Sequence, residues 1–275
     1  MSAIWLNGAL VEGDQPAISA SDHGLLVGDG VFETAKVVDG EAFALTRHLA
    51  RLRRSARGLG LDLPRADDEL RAGVAEVIEA NQPGVGRLRI TVTGGPGPLG
   101  SARGGGGPTI VMATGPAGTW PPDAAVVVVP WPRNERSPVA GLKTTSYAEN
   151  VVALAHATER GAGEALFANL AGNLCEGTGS NVFVGLDGRL VTPPLSSGCL
   201  AGITRDLVLE TTDAVEADIS MSDFARAEEA FLTSSTRDVQ PISTVDGRAL
   251  PHCPGPRSTA AAEAFAALMA LTLDP

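Results

Sequence analysis

A chain of 275 residues is long enough to bury a sizeable core and to form two domains. Its 44% hydrophobic and 19% charged residues are the proportions of a folded chain, not of a disordered one. With 21 basic against 32 acidic residues the net charge is -11, which excludes the basic footprint of a general nucleic-acid binder and reads first as solubility.

No basic region followed by a long apolar stretch opens the sequence, so no signal peptide is expected. The best apolar run, 124–129, is strand-sized and too short for a membrane span, so a cytoplasmic protein without membrane contact is expected. Residues 4–6 and 9–11 flank Asn7-Gly8, and 31–38 and 42–45 flank Asp39-Gly40. Both dipeptides suit the positive φ angles of tight hairpin turns. Thr46 reads as the cap of a helix carrying Leu45, Leu49, Leu52, Ala56 and Leu59 at helical spacing. A second helix is expected over 65–80. Alternation over 88–93 marks a strand with Arg87, Arg89, Thr91 and Thr93 on one face, and 110–113 reads as another strand. A Gly/Pro-rich stretch, 114–122, reads as the linker between a small domain, 1–113, and a larger one, 123–275. Beyond it, strands are expected at 124–129, 164–170, 182–186, 189–192 and 229–233, with turns at Asp187-Gly188 and Asp246-Gly247. Helices are expected at 148–160, 205–212 and 259–271.

Residues 95–100 spell G-x-G-x-x-G, but Pro96 and Pro98 interrupt them and a Gly-rich run follows. No helix can start there to face a pyrophosphate, so a loop is expected in place of a dinucleotide site. Cys175, Cys199 and Cys253 are odd in number and far apart, which reads as reduced thiols. His23, His48, His156 and His252 show no metal-ligand spacing.

Only two lysines, Lys36 and Lys143, stand against nineteen arginines, so an amine nucleophile is one of these or the N-terminus. Lys36 lies within a strand. Lys143 precedes Ser146-Tyr147-Ala148-Glu149, a Ser-x-x-Glu capping box, and so sits at a strand-to-helix junction. Read alone it is a surface charge. Residues 198–206 place glycines and Thr204 ahead of a helix, an arrangement open both to phosphate binding and to ordinary capping. Glu176, between an apolar pair and a polar Gly-rich stretch, reads alone as an exposed turn carboxylate.

Together, and in this order along the chain, these pieces resemble the class IV aminotransferase family. That family comprises branched-chain and D-amino-acid aminotransferases and aminodeoxychorismate lyase. The resemblance runs from Ser21 to Gly247. It is carried by residues 22–34 (DHGLLVGDGVFET), 45–52 (LTRHLARL), Leu142-Lys143, the Glu176 segment, 200–206 (LAGITRD) and 233–236 (TSST). It implies an α/β (mixed α+β) fold, that of a two-domain fold-type-IV enzyme of pyridoxal 5'-phosphate (PLP). The smaller N-terminal domain would be α/β and the larger C-terminal domain β-barrel-like with helices. It further implies a Schiff base on Lys143 and a Glu176 carboxylate facing the pyridine nitrogen. The phosphate would be held by Arg51, Ile203, Thr204, Thr236 and, as a second hydroxyl, Ser235. Lys143 would also move a proton at the substrate Cα. Tyr147 is open both to a place at the cofactor hydroxyl and to helix packing.

Phe32, Thr34, Lys36 and Arg103 are the substrate candidates. Thr34 matches a threonine that the lyases use near substrate. Lys36 sits where D-amino-acid aminotransferases resemble this chain more than branched-chain ones, which carry arginine. The arginine-x-histidine carboxylate trap of D-amino-acid enzymes is missing from 94–107. Arg103 is its candidate replacement, although a solvated loop arginine is the reading its residue type favours. The expected reaction is amino transfer between a small-molecule donor, D-amino acids favoured, and a 2-oxo acid. The alternatives are the lyase reaction, branched-chain transamination and mere PLP binding. A homodimer is implied by the resemblance alone, and closure of the 94–108 loop over substrate, within its own or the neighbouring subunit, is a hypothesis that limited proteolysis would test.

Overall fold

The computed structural model describes residues 2–14 and 18–275. They form two compact units. The first comprises 1–118, 142–147 and 272–275 and the second 119–141 and 148–271. The chain passes from the first unit to the second at Gly118/Thr119. The Lys143 segment and the last four residues pack with the first unit.

In the first unit, β1 (Ala3–Leu6), β2 (Ala9–Glu12), β3 (Gly30–Val38), β4 (Glu41–Ala42), β5 (Arg87–Thr93) and β6 (Thr109–Gly115) form one sheet. Its order is β2-β1-β6-β5-β3-β4 and all its pairings are antiparallel. The hairpin turns form as the dipeptides require, with Asn7 at φ 50° and Asp39 at φ 51°. A short helix, α1 (His23–Leu26), precedes β3, and α2 (Leu45–Leu59) and α3 (Asp67–Ala80) follow. Leu49, Leu52, Ala56, Leu70, Val74 and Val77 bury their stripes against Val31, Ala35, Leu88, Ile90 and Met112. Thr46 is not the cap of α2. The helix begins one residue earlier, behind left-handed Ala44 (φ 55°). Asp274 supplies the missing cap, accepting from Thr46 N at 2.8 Å and Thr46 Oγ1 at 2.6 Å.

The second unit contains β7 (Ala124–Val128), α4 (Ala148–Thr158), β8 (Glu164–Ala168), β9 (Leu174–Gly177), β10 (Asn181–Leu186), β11 (Arg189–Thr192), α5 (Ile203–Thr211), β12 (Val215–Glu216), α6 (Met221–Phe224), β13 (Glu229–Ser234), β14 (Asp238–Val245), β15 (Arg248–Ala249) and α7 (Pro256–Leu271). Its sheet runs β12-β11-β10-β13-β14-β7-β8-β9, with β15 on β14. The pairings β11–β12, β14–β7 and β7–β8 are parallel. Strand β9, at one edge, also lies against β10, so the sheet curls on itself. Val126, Leu166, Val182, Leu232 and Ile242 fill one face, while Phe183 and Phe231 stack at 4.9 Å beneath α5 and α7. Four strands that the sequence reading does not place, β9, β12, β14 and β15, are built here. Among the described residues, no helix is long and apolar enough to cross a membrane.

Candidate functional site

The first unit places Lys143 beside the start of β3. Residues 142–147 belong to no helix or strand and meet the start of β3 through one isolated bridge and flanking hydrogen bonds. Phe32 N donates to Lys143 O at 3.0 Å, Thr145 N to Gly30 O at 2.8 Å, and Val31 bridges Thr144. Lys143 N is held at 3.2 Å by the Ser55 hydroxyl of α2. Hydrogen bonds on both sides therefore fix the lysine backbone. The capping box read at 146–149 is not where these side chains are engaged. Ser146 Oγ donates to Gly28 O at 3.0 Å, and Glu149 pairs with Arg133 at 3.4 Å.

Alternation along β3 divides its side chains between two faces. Val31, Glu33, Ala35 and Val37 face α2, and Phe32, Thr34 and Lys36 face the other way. Antiparallel pairing sets Thr91, Arg89 and Arg87 directly opposite these last three. Lys143 Nζ lies 4.4 Å from the Phe32 ring centroid, the Arg89 guanidinium carbon 3.8 Å from the same centroid, and Tyr147 meets that ring edge-on at 5.3 Å. The structure thus gathers Phe32, Lys143, Tyr147 and Arg89, with Thr34 opposite Arg89. Lys36 lies two residues further along the face, opposite Arg87. Burial holds the Arg89 pKa below its ordinary value. Arg89 was missed as a site residue, although its alternation with Thr91 placed it on a polar face.

On the opposite face of β3, Glu33 is buried to 1% exposure among charged partners. Arg51 grips it bidentately, Nε to Oε1 at 2.8 Å and Nη2 to Oε2 at 2.6 Å, while His48 Nδ1 lies 2.7 Å from Oε2. Burial alone would push the Glu33 carboxyl up, but Arg51 and His48 outweigh it and hold the pKa at about 2. Burial lowers the His48 pKa despite Glu33, and the charges of Arg51 and Lys143 add to that lowering. His48, Arg51 and Ser55 follow one another at i, i+3 and i+7, a buried polar stripe beside the apolar one of α2. That stripe was the available signal for Glu33 and His48, which sequence reasoning missed.

Arg103 is an exposed loop arginine, as its residue type suggests, but its fork is engaged by the protein. Its Nε and Nη2 bind the two Asp29 oxygens at 2.7 and 2.6 Å, Nη2 also donates to Leu59 O at 2.7 Å, and Nη1 donates to Gly60 O. Four hydrogen bonds to protein acceptors engage its fork.

In the second unit Glu176 lies on β9 and not in a turn. Leu200 N donates to its Oε2 at 2.9 Å and Arg133 Nε lies 3.4 Å from Oε1. Arg133, also missed from sequence, stacks on Phe167 at 4.1 Å. The loop after Glu176 is tied down by buried Glu164, which accepts from Thr178 N at 3.0 Å and Ser180 Oγ at 2.9 Å. Ile203 and Thr204 open α5 and are both buried. Its N-cap, Gly202, offers no side chain to the first N–H groups, which leaves the helix end suited to an outside anion. Glycine is required there because a Cβ would stand 1.9 Å from Asn181 Oδ1, whose amide also holds Leu200 O at 2.9 Å. Gly202→Ala is therefore expected to weaken affinity for a phosphorylated cofactor about tenfold or more, by displacing Asn181 and the helix start. Titration of the apoprotein by absorbance or fluorescence checks this, and unchanged affinity would count against the assignment. Ser235 and Thr236 lie in the turn joining β13 to β14, beside left-handed Asp238 (φ 58°).

Each unit carries groups of the kind that hold PLP: in the first, an amine on a fixed backbone and a buried guanidinium; in the second, a carboxylate held by backbone and arginine and a helix start without a side-chain cap. Comparison with known proteins agrees. The family model for amino-transferase class IV matches residues 30–245. A Methanocaldococcus jannaschii protein assigned as a branched-chain-amino-acid aminotransferase is 35% identical over 90% of this chain and 89% of its own. A bifunctional aminodeoxychorismate lyase / D-amino acid transaminase of Mycobacterium tuberculosis is 30% identical over 97% of this chain and 96% of its own. Among solved structures, the branched-chain aminotransferase of Thermoproteus uzoniensis with norvaline superposes with a TM-score of 0.89 at 30% identity, covering 96% of this chain and 93% of that one.

Proposed function

Because the chain belongs to the class IV aminotransferases, we propose that it is a PLP-dependent enzyme moving an amino group from an amino acid, D-amino acids favoured, to a 2-oxo acid. One observation carries this reading. Lys143 Nζ sits over the Phe32 ring beside the Arg89 guanidinium, so an amine and a carboxylate-binding group share one aromatic platform. Lys36 on the same face supports the D-amino-acid preference.

When bound, PLP supplies the electron sink that lets a proton leave the substrate Cα. Lys143 would hold the aldehyde and then, as a general base, move that proton. Glu176 would hold a proton on the pyridine nitrogen, with Arg133 and Leu200 N orienting its carboxylate. Arg51, Ile203, Thr204, Ser235 and Thr236 would bind the phosphate. Phe32 would exclude water from the reacting amine, and Arg89 would attract the substrate carboxylate.

Thr34, directly opposite Arg89, favours a second reading, that of aminodeoxychorismate lyase. A panel of single half-reactions separates the two. D-alanine is expected to convert the visible cofactor band to the pyridoxamine form, with pyruvate produced in equal amount. Conversion by branched-chain L-amino acids instead would replace the D-amino-acid reading. Pyruvate and p-aminobenzoate released from aminodeoxychorismate without an acceptor would establish the lyase. A protein that takes up no PLP would overturn both.

A further inference from the structure

The segment 22–30, which includes α1, is fastened on two sides. On one side it holds the 94–108 loop. The Asp22 carboxylate accepts from Thr93 Oγ1 at 3.0 Å and from Thr109 Oγ1 at 2.7 Å, one residue at each stem of the loop. His23 is fully buried, with its N donating to Gly95 O at 2.9 Å and its Nε2 2.9 Å from Pro98 O. Gly94 N donates to Asp29 O at 2.9 Å, and a Cβ on Gly94 would stand 2.4 Å from Asp29 Oδ2, so the loop stem passes directly over that carboxylate. Asp29 then takes Arg103, at the far side of the loop, bidentately.

On its other side the same segment holds the lysine. Gly28 O accepts from Thr145 Oγ1 at 2.9 Å and from Ser146 Oγ at 3.0 Å. Gly30 O accepts from Thr145 N, and β3 continues into the Phe32 N to Lys143 O bond. All of these residues belong to the first unit.

We propose that Asp29 and Arg103 are positioning residues: their ion pair latches the 94–108 loop to segment 22–30, so that the loop is carried in fixed register with the Lys143 segment and acts as a preset boundary for the substrate, not as a freely moving lid. The functional half of this proposal rests on the reading of Lys143 given above. The pair differs from an ordinary surface salt bridge in geometry. The Arg103 fork is bidentate, two further acceptors at the end of α2 hold it, and the Asp29 side chain is only 12% exposed. Asp29 also has its pKa lowered, chiefly by the Arg103 hydrogen bonds. A point charge such as lysine could not reproduce this arrangement.

The Arg103–Gly104 bond gives a direct readout, since trypsin must extract the Arg103 side chain to cut there. In Asp29→Asn, with the wild-type circular dichroism spectrum, cleavage at Arg103 is expected to be about tenfold faster than in wild type, while Asp29→Glu keeps most of the protection. Should Asp29→Asn fail to fold, Arg103→Gln is scored instead by chymotrypsin at Leu99, which is 84% exposed on the same loop, and is expected to be cut faster. In the PLP-loaded enzyme, Asp29→Asn is expected to raise KM for the amino donor several-fold while kcat stays within about twofold. Cleavage at the wild-type rate in the folded variants would overturn the latch. Faster cleavage with KM unchanged would overturn the positioning role. A protein that takes up no PLP would remove the catalytic reading, while the cleavage ratio would still decide the latch.

Discussion

Lys143→Ala is expected to abolish the visible, borohydride-sensitive absorption of the PLP-loaded protein and to lower kcat by about 10³-fold or more. The loss should be chemical and not structural. Lys143 is tied into the first unit through its backbone, by Ser55 Oγ on its N–H and Phe32 N–H on its carbonyl, and alanine keeps both bonds. The thermal midpoint of the variant should therefore lie within a few degrees of wild type. With only two lysines in the chain, peptide mapping after borohydride reduction is decisive. The label is expected on the Lys143 peptide. A label on Lys36, which stands on β3 opposite Arg87, would move the reacting amine along the face and overturn the assignment. Removing the Nζ also removes one of the charges that lower the His48 pKa, so the histidine in Lys143→Ala should titrate higher than in wild type when followed by NMR.

What could be read from the sequence follows from how local each signal is. Hairpins at Asn7-Gly8 and Asp39-Gly40 and the stripes of α2 and α3 depend on neighbouring residues, and they form as expected. Strand β14 was obscured because Pro241 sits in its middle, where it pairs with Phe231. Strand β9 was obscured because four residues ending at a glycine look like a turn until β8 pairs with them. Thr46 was read as a cap because its real partner, Asp274, lies 228 residues away. The site divides in the same way. Lys143, Glu176 and the α5 start are proposed through ordered family motifs. Glu33, His48, Arg89 and Arg133 matter through partners that only the fold brings within reach. Arg103 shows the converse: its residue type pointed to solvent, and a bidentate Asp29 holds it to the protein.

Acid should destabilise the fold in two steps, because Glu33 and His48 both have lowered pKa values. Unfolded, a histidine takes up its proton near its ordinary value of about 6.5, whereas burial keeps the His48 pKa below that in the folded chain. The unfolded state therefore binds more protons, and stability begins to fall below that pH. Glu33 adds the larger step. Its carboxyl would take a proton near 4.5 when unfolded but is held at about 2 when folded. Its contribution is full above about pH 4.5 and is lost as pH falls toward 2, amounting to about 3 kcal/mol. Glu33→Gln should flatten this lower limb. It should also cost about 3 kcal/mol at neutral pH, because Arg51 would be left buried without its carboxylate; for a chain of this size that is about ten degrees of thermal midpoint. A midpoint and an acid limb unchanged in Glu33→Gln would show that the pair does not form. Replacing both partners, as Glu33→Leu with Arg51→Met, should recover most of the lost stability, since no buried charge then lacks its partner. That double variant tests the proposed second role of Arg51: the fold should return, while affinity for PLP should stay low, as the proposed phosphate contact requires.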